Sequence, residues 1–260
     1  MELLTQENKD QITDQKHISE HFVNYFRHVG KHQAEKIGNA TKSSQDFMKD
    51  VNNRNTIYAS PTDEMEIIQI VSNFKPKTST GFDGISSKLL KEILLGVVYP
   101  LSILINRSLN EGVFPKALKL AKVIPLYKSK EKDLLSNYRP ISLLSSVSKV
   151  FEKVIHKRLY HFLEVNKIIN PYQFGFRSKH CTTDAITTLT NDILTGFENN
   201  EYTLAVFCDL SKAFDTLDHN ILLFKLEKYG IRGEMLNLIK SYLQGRSMYV
   251  CNGKETSNIY

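Results

Sequence analysis

The stretch that most constrains this chain runs from Tyr202 to His219. Within it Leu204-Ala-Val-Phe207 is a short unbroken apolar run. Such a run reads as a strand buried on both faces. It leads into Asp209, and two further acids, Asp215 and Asp218, follow before a new apolar-periodic segment begins. Open sheets place ligands and metals at the carboxyl ends of buried strands. Asp is also a favoured turn and N-cap residue. The residues alone therefore leave two readings, a site acid or a set of caps.

The totals narrow the field. With 260 residues the chain can bury one large core or two small ones. Lys and Arg outnumber Asp and Glu by 34 to 28, a net charge of +6. That is mild for a nucleic-acid binder, so the placement of positive charge matters more than its sum. Cys181, Cys208 and Cys251 lie far apart with no C-x-x-C spacing. This fits an intracellular, reducing setting and argues against a zinc site or a disulfide framework. The start, Met1-Glu-Leu-Leu-Thr-Gln-Glu, lacks the pattern of a signal peptide. The apolar region Ile93–Ile105 is broken by Gly96, Pro100 and Ser102, and is expected to be too short to span a membrane.

Along the chain, Ile18, Phe22, Phe26 and Val29 recur at helical spacing, and 39–55 reads as a polar linker. Ser60-Pro61 predicts a helix start, with Ile67, Ile68, Val71 and Phe74 as its apolar face. Lys75 to Ile85 carries turn chemistry around Gly81, Asp83 and Gly84. Ser86 to Gly112 reads as a helix interrupted near Gly96 and Pro100, with Gly112 as its stop. From Lys116 to Arg139 there are seven basic residues against two acids, Glu131 and Asp133. Here Val123–Tyr127 is strand-like, its Pro125 restricting it to an edge or bulge, and Lys128–Asp133 is a polar tip. A basic hairpin suits phosphate, although a charge run is more often only a solvated face. Ser146–Asn166 is the clearest helix, and another follows from Thr182 and Asp184, its buried face expected at Ile186, Leu189, Ile193 and Phe197. Two helical stripes stopped by Gly230 and Gly245 come next, then a strand and an Asn252-Gly253 hairpin turn with the return starting at Lys254.

The spelling Asp209-Leu-Ser-Lys-Ala-Phe-Asp215 resembles the first catalytic motif of reverse transcriptases, most closely those of non-LTR (LINE-type) retrotransposons. Further resemblances follow in family order: Lys75…Gly81-Phe-Asp-Gly-Ile85, Val123-Ile-Pro-Leu-Tyr-Lys-Ser-Lys130, Asn137-Tyr-Arg-Pro-Ile-Ser-Leu-Leu144 and Gln173-Phe-Gly-Phe-Arg177…Thr182-Thr-Asp184. The resemblance, nearest to Jockey-type elements, covers roughly residues 62–260. It implies an α+β fold, the helix-rich fingers and partial palm of a right-hand polymerase with an antiparallel palm sheet. The implied division is an N-terminal helix and linker at 1–60, fingers at 61–200 and a partial palm at 201–260.

The same resemblance implies roles. Asp209 is the catalytic acid and, with Leu210, a Mg²⁺ ligand. Leu210, Ser211, Lys212 and Ala213 cradle the incoming triphosphate, and Phe214 screens the sugar. Lys128 and Arg139 reach the nucleotide from above, and Arg177 and Lys179 lie near the template. The implied partners are an RNA template, a DNA primer and deoxynucleoside triphosphates, with no membrane. Nuclear action is implied only in this way. No Asp-Asp pair occurs in the sequence, so the expectation is a chain cut before the second carboxylate motif and thumb, inactive alone. The alternatives are a non-catalytic nucleic-acid-binding remnant, or an unrelated helical interaction protein.

Overall fold

The fold is described from a computed structural model, which covers residues 3–4, 11–35, 43, 45–48, 51–210 and 212–260. The chain divides into two compact units, Met1–Leu159 with Phe214–Tyr260, and Tyr160–Ala213. This division follows packing and differs from the expected boundaries at 60 and 200.

In the first unit, the two-residue strands β1 (Leu3–Leu4) and β2 (Gln11–Ile12) pair ahead of helix α1 (Gln15–Ala34). Asp14 caps α1 by accepting from the His17 amide. Helices α2 (Glu64–Ser72) and α3 (Ser87–Glu111) follow. Strands β3 (Leu120–Tyr127) and β4 (Tyr138–Leu143) form a hairpin, and α4 (Ser146–Val165) begins just after it. Beyond α5 (Thr182–Glu198), which belongs to the second unit, the first unit resumes with α6 (His219–Lys228), α7 (Gly233–Leu243), β5 (Ser247–Asn252) and β6 (Glu255–Thr256).

The larger sheet has the order β4-β3-β5-β6. The α+β class holds. The sheet is mixed rather than wholly antiparallel, because β3 and β5 run parallel. Its core face is covered by α1: Ile18, Phe22, Val23 and Phe26 pack on Ala121, Val123, Tyr138 and Val250. Tyr138 stands edge-on to Phe22, ring centroids 4.9 Å apart. The N-terminal helix is thus an integral layer of the sheet. The segment read as a linker is also partly docked, since Asn53 and Ile57 donate to the carbonyls of Lys228 and Gly230. The rest of that reading, 39–42, 44 and 49–50, lies outside the described residues.

The start of α2 lies three residues beyond the expected Ser60. Asp63 is the cap, accepting from the Glu66 amide at 2.7 Å. The reason is Arg158 on α4. Its guanidinium donates to the carbonyls of Ser60 and Pro61, at 2.6 and 2.9 Å, so these residues are held out of the helix. The same buried group forks onto Glu66 at 3.3 and 2.9 Å and also reaches the Val154 carbonyl. Asn106 of α3 completes the junction by exchanging two hydrogen bonds with the Thr62 backbone.

Helix α3 runs unbroken through Gly96 and Pro100. The proline ring opposes the carbonyl four residues earlier, and at that position Gly96 has open space around it. By length and hydropathy α3 reaches the range of a membrane span, a correction to the shorter stretch read from sequence. Leu90, Leu94, Val98, Leu101, Ile105 and Leu109 are nonetheless buried, and the helix packs on α2 and α7. It ends at Gly112 with φ +65, where a side chain would also strike Asn237 and Glu234 of α7 at 2.8–2.9 Å.

The loop at 80–85 is a clamp, not a free surface turn. Ser145, at the start of α4, donates to Asp83, and Ser146 donates to the Ile85 carbonyl at 2.9 Å. A Cβ on Gly81 would lie 2.6 Å from the Ser145 nitrogen. At the far end of the chain the turn is shifted by one residue. Asn252 pairs with Glu255, leaving Gly253 (φ +65) and Lys254 as the turn.

Two outcomes follow for stability. Gly81→Ala forces backbone apart and should cost about 1–3 kcal/mol, read as a lower urea midpoint. A midpoint equal to the parent's would show that the loop can yield. For Glu66, burial alone would raise the pKa, but hydrogen bonds from Arg158, Lys157 and Thr62 outweigh it and bring it from 4.5 to about 2. The folded value lies below the unfolded one. The contribution is therefore fully present above about pH 4.5 and is lost as pH falls toward about 2; it amounts to about 3 kcal/mol. Urea titrations at pH 6 and pH 3 should show the parent losing roughly half or more of this acid-sensitive increment and Glu66→Gln lacking it. Identical pH profiles would contradict the role of the pair.

Candidate nucleotide and nucleic-acid interface

The basic hairpin is set by its register. Leu126 pairs with Arg139 and Tyr127 with Tyr138, and the Lys128 amide extends the ladder by donating to the Asn137 carbonyl at 2.8 Å. Cross-strand partners share a face and neighbours along a strand alternate. Val123 and Tyr138 face α1, so Lys128 and Arg139 project together from the opposite face. Both are exposed and neither has an ion-pair partner among the described residues.

Pro125 lies opposite Pro140. The Lys128–Asn137 bond fixes the phase of the ladder, and its alternation puts the two prolines at a pair that exchanges no hydrogen bonds. On its other side β3 pairs with β5 only from Leu120 to Val123, so Pro125 sits where β3 has become an edge. The tip is folded on itself. Tyr127 donates to the Lys130 carbonyl, Tyr138 to that of Lys132 at 2.7 Å, and Asn137 to that of Glu131 at 2.8 Å. Lys132 lies over the Tyr127 ring, 5.7 Å from its centroid.

In the second unit the Gln173–Lys179 loop is anchored by Arg177. Its guanidinium grips the Glu164 carboxylate through two bonds of 2.9 and 3.0 Å and reaches the Asn170 carbonyl. The Arg177 hydrogen bonds hold the Glu164 pKa below the usual carboxylate range. Arg177 therefore has an internal partner as well as the template role that the resemblance implies. Lys179 is exposed, at φ +62. Asp184 accepts from the Cys181 amide and starts α5, as expected.

The strand expected at Leu204–Phe207 is absent. Residues 201–210 form no ladder and are exposed, Leu204 to 89% and Phe207 to 83%. A strand needs neighbouring backbone to take its N–H and C=O groups, and no described strand pairs with this stretch. The expected α5 face is only partly covered: Leu189 and Ile193 are half-buried, whereas Ile186 is 64% and Phe197 69% exposed. Asp209, Leu210, Lys212, Ala213 and Phe214 are all exposed, and Ser211 lies outside the described residues. Asp209 is therefore in neither a closed core nor a helix. Asp218 is a cap, accepting from the Asn220 and Ile221 amides at 2.7 and 3.0 Å.

Sequence reasoning missed Gly30 and Arg158. A Cβ at Gly30 would meet the Asp215 carbonyl at 2.3 Å, so α1 needs a glycine where the end of the motif crosses it. A lone glycine within an apolar-periodic helix was the available signal for Gly30. Arg158 carried none beyond being a basic residue beside an apolar stripe.

Fold class and motif order together define an α+β polymerase-type domain. The family model described as reverse transcriptase (RNA-dependent DNA polymerase) matches residues 128–260, and the chain belongs to that family. It is 35% identical over 186 residues to a probable RNA-directed DNA polymerase from transposon BS of Drosophila melanogaster, covering 71% of this chain and 20% of that protein. It is 33% identical over 193 residues to the RNA-directed DNA polymerase from mobile element jockey of Drosophila funebris, covering 74% and 21%. Both relatives are RNA-directed DNA polymerases of mobile elements by name. The chain spans about a fifth of the length of these relatives.

Reverse transcriptases generally use a divalent metal. Among the described residues no three His, Cys, Asp or Glu side chains gather into a metal site. These residues therefore do not fit a pair of Mg²⁺ ions by themselves.

The Arg177 anchor yields a prediction. Arg177→Ala should speed proteolysis within 166–181 severalfold by releasing the loop from Glu164. Unchanged cleavage would contradict the anchoring role of the Arg177–Glu164 pair.

Proposed function

We propose that this chain supplies the fingers and the first part of the palm of an RNA-directed DNA polymerase acting on an RNA template, a DNA primer and deoxynucleoside triphosphates. The observation that carries this reading is the hairpin register, which puts Lys128 and Arg139 on one exposed face. Arg presents a forked, permanently charged donor and Lys a point charge, a pair suited to a triphosphate. Asp209, with the Leu210 backbone, supplies part of a Mg²⁺ site. Leu210, Ser211, Lys212 and Ala213 have the role of nucleotide binding, and Phe214 that of screening the sugar. Arg177 and Lys179 serve the template. The functional parts are 1–60, 61–200 and 201–260.

Two-metal phosphoryl transfer draws on several carboxylates, and the described residues do not gather them. The chain of 260 residues alone is then expected to bind RNA in a salt-sensitive way and not to polymerise. The test is primer extension on an RNA template with Mg²⁺. One sample is residues 1–260; the other is a chimera in which these residues replace their matching region in the jockey polymerase. Extension should appear only with the chimera and vanish with Asp209→Ala. Extension by 1–260 alone, or by the Asp209→Ala chimera, would overturn the assignment. In the chimera, Arg139→Ala should raise KM for the nucleotide about tenfold or more with a smaller change in kcat. Unchanged values of both would remove Arg139 from the nucleotide.

A further inference from the structure

Away from the hairpin, the first unit holds a cavity of about 540 Å³ between the loop that joins α2 to α3 and one face of α4. This lies in the size range of ligand pockets, about 300–1,000 Å³. Lys75 and Lys77 line it from the loop, and Lys149 and Lys153 from α4. None of the four has an ion-pair partner among the described residues. Among the described residues no ion pair neutralises them as Glu66 does Lys157 and Arg158.

The loop is built, not draped. Buried Ser87 accepts from the Lys77 amide at 3.0 Å and donates to the Lys75 carbonyl at 2.8 Å, while the Lys88 amide donates to the Lys77 carbonyl. Both lysines therefore rise from a backbone fixed on the first turn of α3, whose positive dipole end adds to the local field. Lys149 and Lys153 are one helical turn apart and share a face. The one acid in the wall is Glu152. Burial raises its pKa, and Tyr242 and Ser148 both bond to its Oε1, at 3.2 and 3.3 Å. Phe74, half-buried in the same wall, offers an aromatic surface.

We propose that this pocket seats the phosphodiester backbone of a single nucleic-acid strand. The inference rests on the reading that the chain works on RNA, and it adds a second contact separate from the Lys128–Arg139 hairpin. Four lysines without a forked arginine favour repeated point contacts to phosphates over recognition of one terminal group. A basic groove with an aromatic wall is the usual platform for a single strand.

The test is fluorescence anisotropy of a labelled 20-nucleotide RNA with the 260-residue chain across a salt series. Lys75→Glu with Lys77→Glu, and separately Lys149→Glu with Lys153→Glu, should each lower affinity about tenfold or more. Each should also reduce the slope of log K against log salt by about 1.4, or about 0.7 per lost phosphate contact. Lys16→Glu with Lys31→Glu on α1 changes net charge equally and should leave both values near the parent's. All these lysines except half-buried Lys149 are exposed, and circular dichroism checks that each variant folds. If the α1 control falls as far as the pocket variants, the effect is general charge and the pocket is not a site. Equal binding by parent and pocket variants also overturns the proposal while leaving the hairpin reading intact. No RNA binding by the parent overturns both. If the variants lose only dATP binding and keep RNA affinity, the occupant is a free nucleotide and the strand proposal fails.

Discussion

One buried cation organises the larger unit. Arg158 ties α4 to the Ser60 and Pro61 carbonyls and to Glu66 on α2, and through Thr62 and Asn106 the tie extends to α3. Removing one partner of such a buried pair leaves the other uncompensated, typically at about 3–5 kcal/mol. With α2, α3 and α4 fixed together, the Gly81–Asp83 clamp can set where α4 begins, directly after β4. The hairpin that presents Lys128 and Arg139 is thus held at one end by this helical frame and on one face by α1.

The stretch around Asp209 is held much less. Its apolar residues are exposed and its backbone joins no sheet. Large exposed apolar surface in a folded chain marks a place where other surface is meant to lie. The same holds for Ile186 and Phe197 on α5. The contrast has a physical basis: α1 finds a sheet to cover, whereas the described residues offer 204–207 no ladder.

Much of the fold was legible where the signal is local. The α1 stripe, Gly112 at the end of α3, Asp184 at the start of α5 and the Gly230 and Gly245 stops all depend on a few neighbouring residues. The Lys128–Arg139 hairpin was legible because prolines, a polar tip and flanking apolar residues restrict what can form. What failed was long-range. Ser60 is a better cap by spelling than by context, because Arg158, almost a hundred residues away, takes its carbonyl. The Leu-Ala-Val-Phe run names an apolar strand but not its partners. Nothing in the sequence announces that Arg177 will pair with Glu164.

The central claim is that the exposed face of the β3–β4 hairpin holds the triphosphate. Lysine acetylation footprinting of the jockey chimera, loaded with primer and template, tests it most directly. The account predicts that dATP protects Lys128 while deoxyadenosine does not, and that Lys130 and Lys132 at the same tip stay equally reactive throughout. Equal reactivity of Lys128 with and without dATP, in a chimera that still extends the primer, would contradict it.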